Sequence, residues 1–150
     1  MPRLLLLLLI LFPGTSLQAQ THQKQMLPGP IPADIIEVID GDSIKVGAHV
    51  WPGQQVFVSI RIRGIDAPEM RSRCALEHRA ALAARQAAMH LVAEGRVELT
   101  NVSGGKYYGR MLADVTTVDG ISLASHLLDA GLVRPYSGRK RRDWCHFGNE

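Results

Sequence analysis

Hydrophobic and polar positions alternate most strictly in VFVSIRIRGI (residues 56–65). Val56, Val58, Ile60 and Ile62 fall on one face, and Phe57, Ser59, Arg61 and Arg63 on the other. That period of two predicts a strand whose first face meets a core and whose second carries two guanidinium groups side by side. DIIEVIDGD (34–42) predicts an earlier strand that ends in an Asp-Gly turn, and SIKVGAHV (43–50) a second one closed by the turn WPGQ. From Cys74 to Glu94 the texture becomes helical. Leu76, Ala80, Ala83, Ala87 and Leu91 recur at steps of three and four, and Gly95 is a natural stop. RVELTNV (96–102) and MLADVTTV (111–118) return to strand character around the turn-rich loop SGGKYYGR. Asp119-Gly120 then leads to a short helix with Ser122 as N-cap and Gly131 as its end. The order is three strands, a helix, two strands and a helix, an α+β chain. Five short antiparallel strands can close into an OB-type Greek-key β-barrel, here with a helix between strands 3 and 4 and a short C-terminal helix.

The first twenty residues follow neither period. Arg3 precedes nine apolar residues, Leu4 to Phe12, and a Pro-Gly break with small and polar residues follows. This is the three-part layout of a secretory signal, too short to anchor in a bilayer, with a cut expected after Ala19. The expected organisation is therefore a signal at 1–19, a polar, Pro-rich flexible leader at 20–33, a domain at 34–145 and a tail at 146–150. No apolar run reaches the length of a membrane span, so the exported chain, periplasmic or extracellular, is expected to cross no membrane once the signal is removed.

Export changes the reading of Cys74 and Cys145. In an oxidising compartment two cysteines most often pair, and a bridge here would tie the start of the helix to the end of the chain. Two free buried thiols are the next reading. A zinc site is the third, with Cys74 and His78 on one helical face and Cys145-His146 completing four ligands, although the spacing matches no usual finger.

Composition adds limits rather than a function. With 150 residues, 46% of them hydrophobic and 21% charged, the chain fits one globular domain and neither a disordered segment nor a solenoid. A net charge of +3 is too small to name a partner. Its distribution is more telling, because Arg134, Arg139, Lys140, Arg141 and Arg142 crowd the stretch RPYSGRKRR around Tyr136. Such a run is either a solvated tail or a track for a phosphate backbone. The six histidines are scattered and none is placed as a catalytic base, while Trp51 and Trp144 are expected to pack.

Three segments combine the remaining chemistry: Val38-Ile-Asp-Gly-Asp-Ser43, Arg61-Ile-Arg-Gly-Ile-Asp-Ala-Pro-Glu69 and Lys106-Tyr-Tyr-Gly-Arg110. Each alone has an ordinary structural explanation as a turn, a helix start or a solvated strand. Together they hold what phosphodiester hydrolysis needs. Asp42, Asp66 and a backbone carbonyl are hard oxygen donors suited to calcium, the arginines offer forked donors to phosphate, and Glu69 supplies a base.

In this order, and with a helix between the last two, the three segments resemble the staphylococcal nuclease-like (thermonuclease) family over about residues 34–136. The resemblance implies an OB barrel with helices and a calcium-dependent nuclease acting on DNA and RNA, with no stable protein partner and a monomeric state. By the same resemblance Asp42 and Asp66 look like carboxylate ligands of Ca2+, and Ala67 stands where a main-chain carbonyl binds the ion. Glu69 looks like the general base or the residue that positions water. Arg61 and Arg110 look like the phosphate clamps, and Asp40 like a carboxylate that supports the ligands without binding the ion. Tyr108 and Tyr136 match positions near the substrate base and 5′ phosphate. The chain departs from the family at Ser43 and Ala67, where Thr is common, and in its extra ring beside Tyr108. It also ends soon after Trp144, without the family's long C-terminal helix, so a Cys74–Cys145 bridge would replace that helix as a clasp. Two other classes compete. One is a catalytically silent OB-type module that holds single strands by charge and stacking. The other is a structural domain of an envelope complex that binds no nucleic acid.

Overall fold

The computed structural model describes residues 25–105 and 109–145. β2 (Ile31–Asp40) and β3 (Ser43–Trp51) form a hairpin through the Gly41-Asp42 turn, and β3 pairs antiparallel with β4 (Gln54–Ile62). Gly64, at φ +82°, turns the chain into the short β5 (Ile65–Asp66), which precedes helix α1 (Ala75–Leu91). β6 (Arg96–Gly104) pairs with β2 and with β7 (Arg110–Thr117), and β7 returns to β4 in parallel, Ser59 opposite Arg110 and Ile62 opposite Ala113. The circuit β2-β3-β4-β7-β6 closes on itself, so the sheet is a five-stranded barrel of OB type with two helices, the architecture that the strand order implied. β1 (Met26–Leu27) adds to β6, and β8 (Arg134–Pro135), after helix α2 (Leu123–Asp129), pairs with β5.

The barrel closes because each strand turns one apolar row inward. Ile44, Val46, Ile60, Ile62, Val97, Leu99, Ala113 and Val115 are buried, as are Leu123 and Leu127 of α2. Each large aliphatic side chain so buried contributes about 1.5–3 kcal/mol. Among the described residues no helix is long and apolar enough to cross a membrane.

Four details differ from the pattern read in the sequence. The inner stripe of α1 is Glu77, Ala81, Ala84 and Ala88, one position beyond Leu76, Ala80, Ala83 and Ala87. Alanine pairs stand at 80–81, 83–84 and 87–88, so the hydrophobic period fits two adjacent phases equally well and packing chooses between them. Residues 26–33, expected in a flexible leader, are instead mostly paired: Met26–Leu27 lie on β6, and Ile31–Ala33 run between Val97 and Leu99, with Ala33 buried. The prolines that suggested a leader obscured the alternation of Ile31, Ala33 and Ile35. The β3–β4 hairpin overruns the core, which leaves Trp51 73% and Phe57 70% exposed and Val56 outside with them. Trp51 therefore does not pack, because nothing in the barrel reaches the hairpin tip. Residues 1–24, with the expected secretory signal, and the tail at 146–150 lie outside the described residues.

Candidate functional site

The site is assembled where the β2–β3 turn meets β5. The Asp40 carboxylate accepts a hydrogen bond from the Asp42 amide at 3.0 Å, the side-chain-to-backbone contact that fixes an Asp-Gly turn. Gly41 is required there by close approach: a Cβ would lie 2.7 Å from the Ala84 methyl and 3.0 Å from that of Ala67. The turn is thus pressed between α1 and the segment after β5, and the small side chains at 84 and 67 make room for it.

Asp42 and Asp66 come together at this point, 1% and 3% exposed. Asp42 Oδ2 accepts from the Ala67 amide at 2.5 Å, and its Oδ1 accepts from the Ser43 hydroxyl at 2.9 Å and pairs with Arg61 Nη1. Arg61 also reaches Asp66 Oδ1 through Nη2 at 3.3 Å, and Trp144 Nε1 donates to Asp66 Oδ2 at 3.3 Å. Two carboxylates removed from water cost several kcal/mol each unless a positive charge answers them, and Arg61 bridges both. Burial lowers the pKa of Arg61, although Asp66 and Asp40 favour its charge. Burial likewise pushes the Asp40 carboxyl above its ordinary value, with Ser43 and Arg61 pulling the other way.

Arg61 lies in β4 and Arg63 in the turn just past its end, and their guanidinium groups reach different partners rather than lying side by side. Arg63 turns across the barrel seam, where Nη2 donates to Asn101 O at 2.5 Å and Leu112 O at 3.3 Å, and it pairs with Asp114. The reason is the closure itself, which brings the Asn101 carbonyl of β6 and the Leu112 carbonyl of β7 within reach of the Arg63 side chain. Arg110 opens β7 opposite Ser59, so the parallel register sets it on the same face as Arg61, near enough to act as a like charge on it.

Glu69 lies just beyond Asp66 and Ala67, in the loop that leads to α1. Its amide donates to Glu77 Oε1 at 3.1 Å. Glu77 was not singled out in the sequence, although Cys74-Ala-Leu-Glu77 has the spacing of a capping box. Cys74 is the N-cap, its sulfur accepting from the Glu77 amide at 3.4 Å, but the Glu77 side chain turns away to hold Glu69 instead.

The final described segment carries the basic run for which a solvated tail and a phosphate track were the two expectations, and Arg141 and Arg134 have defined partners in it. Arg141 pairs with Asp66 Oδ1 through Nε at 2.5 Å, donates from Nη2 to Ala67 O at 2.7 Å, and pairs with Glu69 through Nη1. Burial works against its charge, but the hydrogen bond to Glu69 and the charges of Asp66 and Glu69 outweigh it and raise its pKa. Arg134 lies over the Trp144 ring, 3.9 Å from the centroid, and donates to Asp143 O at 2.9 Å. A charge run carries no signal of depth. The clue was the neighbouring Trp144-Cys145, since Trp144 is buried and Cys145 is bridged to Cys74. That disulfide, with its Cα atoms 5.9 Å apart, removes the free-thiol and zinc readings: the ligand atoms of Cys74, Glu77 and Cys145 lie within 4.8 Å of one another, but both sulfurs are already bonded. Between this segment and the 69–73 loop opens a cleft of about 690 Å³ with Arg71, Arg73, Lys140 and Arg142 on its walls.

The donor set around Asp42 and Asp66 is all oxygen, two buried carboxylates and the Ala67 carbonyl, and it is of the kind that holds a hard divalent ion rather than zinc. Residues 59–145, more than half of the chain, match the family described as staphylococcal nuclease homologue. The chain belongs to that family. No curated protein matches it. The match begins at Ser59, beyond the Asp40-Gly-Asp42 turn, yet the structure brings that turn against Ala67, next to Asp66. Tyr136 follows β8, its amide donating to Gly64 O at 2.8 Å, which sets it behind the β4–β5 turn. Tyr108, with Lys106 and Tyr107, lies outside the described residues. Membership supports a nuclease-related function on nucleic acid with an OB barrel as its frame.

Proposed function

We propose that the chain is an exported, metal-dependent nuclease that hydrolyses phosphodiester bonds of DNA or RNA. The observation that carries this reading is the convergence of Asp42, Asp66 and the Ala67 carbonyl with Glu69 beside them and Arg61 and Arg110 on the adjoining strand face. When bound at these oxygens, a hard divalent ion, calcium in this reading, supplies positive charge to the phosphate and orders a water molecule.

The protein's own groups do the rest. Asp42 and Asp66 are the anionic ligands, and the Ala67 carbonyl is a third donor that needs no side chain. Asp40 fixes the turn that aims Asp42. Glu69 accepts the proton of the attacking water, and the hydrogen bond from its amide to Glu77 holds the loop that carries it. Arg61 and Arg110 offer forked N–H donors to the phosphate oxygens as charge builds on them. Tyr136, and Tyr108 by resemblance, are assigned to the nucleotide being cut. The disulfide is in keeping with export after removal of residues 1–19, and the folded unit, which includes the paired residues 26–33, works here as a monomer.

The test is cleavage of single-stranded DNA and RNA by the purified oxidised protein with calcium, with magnesium and with chelator. The expected result is calcium-dependent cutting that Glu69→Gln slows by about 10²-fold or more. Salt-sensitive binding without cutting under every condition would instead identify a silent binding module.

A further inference from the structure

The segment after β8 makes contacts that the catalytic reading does not use. All three nitrogens of Arg141 are directed at the acidic floor: Nε at Asp66 Oδ1, Nη2 at the Ala67 carbonyl and Nη1 at Glu69 Oε1. These are two donors of the proposed ion and the proposed base. Here the fork faces inward and is fully engaged.

The segment is fastened at one end and irregular in between. Trp144 is buried, with its ring under Arg134 and its N–H on Asp66, and Cys145 is bonded to Cys74 at the N-cap of α1. From Tyr136 to Cys145 the chain forms neither helix nor strand, and the Arg141 side chain is 37% exposed. Arg141 therefore lies at the surface end of the site, on backbone that no ladder of hydrogen bonds holds, whereas Arg61 is fixed in β4.

We propose that residues 138–145 are an inhibitory strap in which Arg141 is an internal stand-in for the divalent ion. It takes up the oxygens of Asp66, Ala67 and Glu69, so that metal binds only as Arg141 withdraws, and the Cys74–Cys145 bond sets how readily it withdraws. This inference rests on the metal-dependent reading of the site. It makes the nuclease self-neutralised when metal is scarce and more readily loaded when the disulfide is reduced. In that reduction a dithiol gives up two electrons and two protons, the S–S bond breaks, and two cysteine thiols form.

The test reads metal binding directly, apart from activity. Calcium is titrated calorimetrically, and terbium by luminescence sensitised through Trp144, into the oxidised protein and its Arg141→Ala, Arg141→Gln and Arg139→Ala variants, each first shown by circular dichroism to be folded. The expected result is a Kd for calcium that falls about tenfold or more in both Arg141 variants, in the range of ordinary coupling between competing interactions. Arg139→Ala should be unchanged, and wild-type protein treated with dithiothreitol should shift toward the Arg141 variants. Equal affinity in wild type and both Arg141 variants overturns the strap and leaves the metal site standing. Weaker binding in the variants also overturns it, since Arg141 would then support the ligands rather than displace the ion. Binding by none of the proteins overturns both the strap and the metal-dependent reading. Tighter binding in the variants with no response to dithiothreitol overturns the disulfide's part.

Discussion

Two arginines approach the same atom, Asp66 Oδ1, from very different parts of the molecule. Arg61 comes from β4, between β3 and β7, with its side chain 18% exposed and its fork spread over two buried carboxylates. Arg141 comes from an irregular segment and spreads over Asp66, a carbonyl and the more exposed Glu69. Both supply positive charge to the same acidic floor. The strand-borne group sits on a strand paired on both sides, whereas the strap-borne group sits on an irregular segment fastened by one indole and one covalent bond. The contrast separates charge placed by the barrel ladder from charge placed by an irregular segment.

Removing Arg61 should break that comparison most severely. Arg61→Ala leaves Asp42 with no guanidinium partner among the described contacts and should cost about 3–5 kcal/mol in urea unfolding, as the loss of one member of a buried ion pair does. A loss below about 1 kcal/mol would mean that Arg141 carries the compensation for both carboxylates. Cys145→Ser frees the other end and should cost about 2–4 kcal/mol, the usual contribution of a disulfide closing a long loop. Gly41→Ala acts on the floor beneath both arginines. The added methyl meets the Ala84 and Ala67 side chains, and the expected cost is about 1–3 kcal/mol, read as a lower unfolding midpoint. The smallest effect should come from Arg139→Ala, two positions before Arg141 and exposed, where a change beyond about 0.5 kcal/mol is not expected. A larger change would show that the whole basic run, and not Arg141, is anchored.

The same division between barrel and strap decided what could be read from the residues. β4 was legible because its alternation is strict and because one face has to be apolar for a barrel to close. The Asp-Gly-Asp turn and the Asp66–Glu69 segment stood out because carboxylates, glycine and arginine recur there at close spacing, and the structure brings Asp42, Asp66 and Ala67 together. α1 was legible as a helix but not in phase, since doubled alanines give no preference between adjacent faces. Glu77 escaped because its partner is a backbone amide outside its own helix, and Arg141 because long-range ion pairs leave no local periodicity. Trp51 misled for the opposite reason: a large aromatic residue suggests burial, but only the tertiary arrangement shows where the core ends.

The parallel seam between β4 and β7 has a further consequence, for the order in which the molecule comes into being. Ser59 and Arg110 are far apart in sequence, and their pairing closes a long loop in the barrel, with α1 and β6 inside it. Contacts of such separation are gained only after a large loss of chain entropy, which places them among the slow events of folding. Arg61 stands on one side of this seam and Arg110 on the other. A partly folded chain can hold either arginine but cannot align the two, so the shared face of Arg61 and Arg110 arises only when β7 joins β4.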